Sequence, residues 1–158
     1  MALALSKQFL SSHKKLVLGG KGTEEYETKL KQLAEGLGVS HKIEFIGLIQ
    51  GEAKEQMYAK SFCSFLVSES ENFGNVVIEA LAQGTPVITS LGTPWAVLEE
   101  NAVGRNIENS PKEIAQAIDE LLLMPENQYV EMSSRCKKFC SEEFDIVSNV
   151  DKWIAKYK

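Results

Sequence analysis

Short apolar runs alternate with stretches of helical periodicity along the first two-thirds of this chain, and no other feature limits the fold as much. Residues 16–18, Leu-Val-Leu, read as a strand closed by Gly19-Gly20. Residues 42–46, 62–67, 86–89 and 104–108 read as further strands. Helical stretches lie between them. Residues 3–14 have helical character, and Thr23 is placed to cap a helix that runs to about Gly36, with acids in its first turn and Gly38 after its end. Residues 52–60, 74–83 and 94–100 complete the alternation, the second of these stopped by Gly84. Short strands alternating with helices specify an α/β domain with a parallel sheet. Right-handed crossovers then place helices on both faces, as a Rossmann-like three-layer α/β/α arrangement. Ligands in such sheets bind outside the carboxyl ends of the strands. The loops after Leu18, Ile46, Val67 and Thr89 are therefore the ones to inspect.

The last third is helical throughout. Ser110-Pro111-Lys112-Glu113 is a capping box with proline at the first helical position. It opens a helix to about Met124, with further helices expected near residues 126–140 and 145–157. No repeat, low-complexity segment or linker interrupts the 158 residues, so one domain is expected over residues 1–158.

Composition excludes several classes. With 44% hydrophobic and 25% charged residues, the chain reads as an ordinary globular protein. No apolar run is long enough to span a bilayer, and the first residues do not read as a secretory signal. The net charge of −5 lacks the basic face expected of a nucleic-acid binder; Lys14-Lys15 and Lys137-Lys138 read as solvated helix ends. The three cysteines, Cys63, Cys136 and Cys140, read as reduced thiols of a cytoplasmic protein. Cys136 and Cys140 share a helix face, but His13 and His41 are too far along the chain to complete a metal site with them.

The chemistry concentrates in residues 68–90. A strand ends near Val67, a loop carrying Glu69, Glu71 and Asn72 follows, and a helix begins at about Gly74. A helix N-terminus offers free N–H groups and a positive dipole end, a natural seat for phosphate. Gly74 lets a ligand approach the backbone closely. Glu71 sits at the mouth of that helix. Glu79 lies five residues further, roughly 7–8 Å along the axis, and shares a face with Asn75. Carboxylates at two such positions suit the paired hydroxyls of sugars. Acids near a helix start also stabilise the helix simply through its dipole. Glu79, however, stands between Val76-Val77-Ile78 and Ala80-Leu81-Ala82, where a charge is costly unless something satisfies it.

From about residue 16 onward the chain resembles the C-terminal, donor-binding domain of the retaining group 1 glycosyltransferases (family 4, GT-B fold). The matching features are Glu71-x7-Glu79, the Glu71-Asn72-Phe73-Gly74 lead, Glu79-Ala80-Leu81-Ala82-x-Gly84-x-Pro86-Val87-Ile88, and Phe45-Ile46-Gly47 after a strand. Gly92-Thr93-Pro94-Trp95 is similar to a version found in bacterial polysaccharide-assembly members. The resemblance implies a catalytic-site role for Glu71, which would bind hydroxyls of the donor sugar. Phe73, Gly74 and Asn75 would contact sugar and phosphates through their backbone, and Glu79 the ribose hydroxyls. Gly47 and Leu48 would form part of the base pocket. Gly20-Lys21-Gly22 reads as a strand-to-helix turn and Lys54 as a surface residue.

The implied reaction moves a hexose from a nucleoside diphosphate to an acceptor hydroxyl, sugar or lipid-linked, with retention, in polysaccharide or glycolipid assembly. It implies no metal and no cofactor; the substrate is a UDP-, GDP- or similar nucleotide sugar. The implied location is the cytoplasm, with a lipid-linked acceptor as the route to the inner membrane surface. Relatives of this kind also use an N-terminal GT-B domain for the acceptor. Their C-terminal domain opens with a strand ending in Gly-Arg and then a Lys-Gly loop, for which no counterpart is assigned here. The GT-B half is thus expected to lack its first strand. Those two cations make charge-assisted hydrogen bonds worth roughly 1.5–3 kcal/mol each. Weak donor binding and no activity alone are therefore expected, as for a fragment, a truncated reading frame or half of a split enzyme. A noncatalytic subunit of the same fold is the alternative, and an epimerase on this architecture a weaker one.

Overall fold

The computed structural model describes residues 1–145 and 149–150. The expected alternation is present as α1 (Ala2–Leu5), α2 (Lys7–Ser11), β1 (Leu16–Gly19), α3 (Glu24–Gly36), β2 (Ile43–Gly47), α4 (Gly51–Lys60), β3 (Ser64–Leu66), α5 (Asn75–Ala82), β4 (Val87–Ser90), α6 (Val97–Glu100), β5 (Gly104–Ile107), α7 (Pro111–Leu122) and α8 (Glu126–Phe144). All strand pairs are parallel, in a two-stranded sheet β1-β2 and a three-stranded sheet β3-β4-β5. The chain divides into two compact units. One holds Met1–Lys54 and Ser110–Leu123, the other Glu55–Asn109 and the described part of Met124–Lys158. The helix expected near 145–157 lies almost wholly outside the described residues.

In the first unit, β1 and β2 pair from Leu16 with Ile43 to Gly19 with Gly47. Thr23 caps α3 as its sequence position demands, accepting from the Tyr26 N–H. Ser110 does the same for α7, accepting from Glu113. The single helix expected over residues 3–14 is instead two short ones. Ser6 breaks it, because its extended backbone and its side chain serve as the N-cap of α2. Ser6 Oγ accepts from the Phe9 N–H and donates to Asp119 Oδ1 of α7, which also accepts from the Gln8 N–H at 3.1 Å. Lys42, expected to open a strand, ends a 3-10 turn (Ser40–Lys42) and is buried. Its Nζ caps the α2 carboxyl end, donating to the carbonyls of Phe9 at 2.5 Å and Ser12 at 2.6 Å. A buried ammonium is tolerated only when its protons are so occupied.

In the second unit, β4 is central and wholly buried, between β3 and β5. Gly104 lies so close to this strand that a Cβ would overlap the Val87 carbonyl. β3 is shorter than the run 62–67: Phe62 leaves the ladder to stack on Tyr129 of α8, centroids 4.5 Å apart. Tyr129 donates its hydroxyl to the Phe62 carbonyl at 2.8 Å. Helix α8 also buries Met132, Cys136, Phe139 and Cys140, and the Cys140 thiol reaches the Ile78 carbonyl of α5 at 3.7 Å.

Two predictions follow from this packing. Ser6→Ala removes the α2 cap and one partner of Asp119; we expect a loss of about 1–2 kcal/mol in urea denaturation. The second concerns alkaline stability. Burial pushes the Cys136 thiol from 9.0 up to about 12, with nearby Arg135 opposing, and burial likewise pushes Tyr129 from 10.0 up to about 12. Above the unfolded values the unfolded chain releases these protons while the folded chain keeps them, so stability falls with rising pH. The stabilisation is complete below pH 9 and is lost between about 9 and 12. A Cys136→Ala variant compared in thermal melts at pH 8 and 10.5 should show a smaller pH-dependent drop than the parent.

Candidate functional site

The loop between β3 and α5 lies on a turn that follows β4. Ser90 Oγ donates to the Ser68 carbonyl at 2.5 Å, and the Glu71 N–H donates to the Gly92 carbonyl at 3.0 Å. The Trp95 indole N–H donates to the Phe73 carbonyl. Gly92 sits so close beneath the loop that a Cβ there would overlap the Glu69 carbonyl. The turn is itself held from β5. Asn106 is buried, and its amide donates to Thr89 Oγ1 at 2.8 Å, the Ser90 carbonyl at 2.9 Å and Thr93 Oγ1 at 3.4 Å. Thr93 closes the turn by donating its N–H to the Ser90 carbonyl at 2.9 Å.

On this support the chain makes the helix start. Gly74 is the N-cap of α5, not its first residue, with φ 76° and ψ 72°. That left-handed backbone favours glycine, and a Cβ there would also have to displace Leu66 Cδ2. Gly74 has no side chain to occupy the first-turn N–H groups, and among the described residues no side chain caps them. They carry the positive end of the helix dipole. The helix buries Val77, Ala80 and Leu81 and leaves Asn75 exposed.

The structure brings five of the seven candidate residues into one short segment. Glu71 is half-buried, and its Oε1 accepts the Asn72 N–H at 3.0 Å, which folds the carboxylate back toward the helix start. Its Cγ lies 3.3 Å from where a Gly74 Cβ would be. Phe73 is 43% exposed, its ring against Trp95 and Phe144. Asn75 opens α5 and Glu79 stands one turn further on. Glu79 is half-buried with its Oε2 enclosed, in keeping with its apolar sequence neighbours. Gly47 and Leu48 belong to the first unit, at the end of β2. Gly47 has φ 68° and accepts the Gly20 N–H at 2.7 Å, and Leu48 is 64% exposed.

Four residues that shape the segment were not singled out from the sequence as doing so: Ser90, Gly92, Trp95 and Asn106. The Gly92-Thr93-Pro94-Trp95 run stood out only as a motif. Its role depends on which carbonyls lie above it. Asn106 offered no signal beyond being an amide in a short strand. Among the described residues, no three His, Cys, Asp or Glu side chains gather to hold a metal ion. Nor is any described helix long and apolar enough to cross a membrane.

This geometry can be set beside known proteins. The family model described as "Glycosyl transferases group 1" matches residues 2–139. An uncharacterized glycosyltransferase of Methanocaldococcus jannaschii is 31% identical over 121 residues, covering 75% of this chain and 30% of that protein. The chain spans 18–41% of the length of the curated relatives that follow it in similarity. Among solved structures, HepE of Anabaena in complex with UDP and glucose superposes with a TM-score of 0.81 at 23% identity, over 99% of this chain and 43% of that one. The catalytic domain of cholesterol-α-glucosyltransferase from Helicobacter pylori gives 0.74 at 23% identity, over 89% of this chain and 85% of that one. These likenesses establish the α/β fold with parallel sheets as that of GT-B glycosyltransferases. The motifs around Glu71 and Glu79 and the family match over residues 2–139 agree, and the chain belongs to the group 1 glycosyl transferases.

Proposed function

We propose that this chain is the nucleotide-sugar-binding part of a retaining hexosyltransferase. The observation that carries the reading is the start of α5: N–H groups with no side-chain cap among the described residues, behind a left-handed glycine, flanked by Glu71 and Glu79. The N–H groups and the dipole end would hold the donor's phosphates and stabilise the leaving diphosphate, an electrostatic role that suits a transfer without a metal. Glu71 would accept hydrogen bonds from the hexose hydroxyls and orient the sugar, without attacking it. Glu79 would take the paired ribose hydroxyls, whose two O–H donors match one carboxylate. The backbone of Phe73, Gly74 and Asn75 would line the path between them. The Anabaena relative was solved with UDP and glucose, which supports a nucleotide-sugar donor for this chain. The acceptor, a sugar or lipid-linked hydroxyl, and an N-terminal GT-B domain as partner belong to the same proposal, as does a cytoplasmic site of action.

The reading separates two carboxylates by the part of the donor each touches. Calorimetric titration with UDP, GDP and their glucose and mannose conjugates tests it. Glu79→Ala should weaken nucleotide and nucleotide sugar alike by about 10–100-fold, the worth of a charge-assisted hydrogen bond. Glu71→Gln should weaken only the sugar conjugates and leave the free diphosphate unchanged. Equal affinities in parent and Glu79→Ala, or no binding of any of these compounds at millimolar concentration, would sink the donor-site reading for this chain.

A further inference from the structure

The Trp95 side chain is almost fully enclosed, at 2% exposure, yet its polar edge is aimed out of the core at a loop carbonyl. An indole has one donor, and burying it unpaired would be costly, so the bond to the Phe73 carbonyl is strongly held. That carbonyl belongs to the same peptide unit as the Gly74 N–H. The unit is trans, and in a trans peptide the C=O and the following N–H point in opposite directions. Fixing the Phe73 carbonyl on Trp95 therefore points the Gly74 N–H away from the core. The aromatic neighbours hold the indole in place: its ring is 5.3 Å from Phe73 and 5.7 Å from Phe144 of α8, which in turn meets Phe139 at 5.7 Å. Gly92, on the same turn, sets the height of the loop through its contact with Glu69.

We infer that Trp95 is a positioning residue that aims the Gly74 N–H at the donor. This rests on the donor-site reading of the α5 start and adds the residue that orients it. The bond also withdraws the Phe73 carbonyl from the surface. At that one peptide unit the loop presents the Gly74 N–H rather than the Phe73 carbonyl, which favours an anionic ligand there.

The test uses the full chain carrying Trp153→Phe, which leaves Trp95 as its single indole. In this parent the Trp95 indole proton should exchange slowly with solvent by NMR; rapid exchange overturns the inference, whatever any further variant does. Trp95→Phe on the same background keeps a ring and removes only the N–H. The NMR order parameter of the Gly74 N–H, which reports how tightly that bond vector is held, should then fall from about 0.85 toward about 0.6. The dissociation constant for UDP-glucose should rise, while the melting curve remains cooperative. An unchanged order parameter at Gly74 overturns the inference, and so does a lowered one with unchanged UDP-glucose affinity. If the parent binds neither UDP-glucose nor GDP-mannose, the donor-site reading fails by itself, and the order parameter alone decides whether Trp95 orients Gly74.

Discussion

Gly74 turns the chain through a left-handed backbone directly over Leu66, where an added Cβ would be strained and would have to displace the leucine side chain. The direction of α5 depends on that turn, and so does the placement of every candidate residue from Glu71 to Glu79. Strand β3 supplies the floor, through the half-buried Leu66. The loop must cross that floor tightly enough for α5 to pack Val77, Ala80 and Leu81 inward. Only a residue without a Cβ meets both demands. The same steric logic recurs at Gly92 under Glu69 and at Gly104 beside Val87. Gly74 and Gly92 let the chain approach closely where the candidate site is built, and Gly104 does so at the opposite end of β4.

Polar bonding then fixes what close approach makes possible. The buried Asn106 amide ties the end of β4, Thr93 closes the turn, and that turn bonds the acidic loop through Ser90, Gly92 and Trp95. Ser90, Thr93, Trp95 and Asn106 are buried, so each bond their side chains make occupies a group that would otherwise be buried unpaired. Rigid support of this kind is what a loop needs if its N–H groups are to meet a ligand without reorganising. The Glu99 carboxylate adds to it by holding Asn106 from its backbone side, accepting from Arg105 Nε at 3.0 Å and from the Asn106 N–H at 3.3 Å.

The first unit uses buried polar groups differently. Lys42 and Asp119 each serve one end of the short helix α2, the ammonium at its carboxyl end and the carboxylate at its amino end. Both placements oppose the helix dipole, as charge should. A five-residue helix has little stability of its own, and such end contacts supply what propagation cannot.

The sequence by itself determined the class and order of the elements. Thr23, Ser110 and Pro111 marked helix starts through local hydrogen bonding and proline geometry, both readable within a few residues. The apolar run ending in Thr89 marked β4, because a strand buried on both faces must be apolar. Glu79 stood out because its apolar neighbours made a charge there need a reason. Other features were decided only in three dimensions. Ser6 splits a helical stretch because Asp119 waits 113 residues away to receive it. Phe62 leaves its strand for Tyr129, and Lys42 leaves a strand to cap a helix. Trp95 acquires its role from one carbonyl 22 residues earlier. Local chemistry depends on neighbours in the chain and can be read along it. These roles depend on neighbours in space, which only the packed fold supplies.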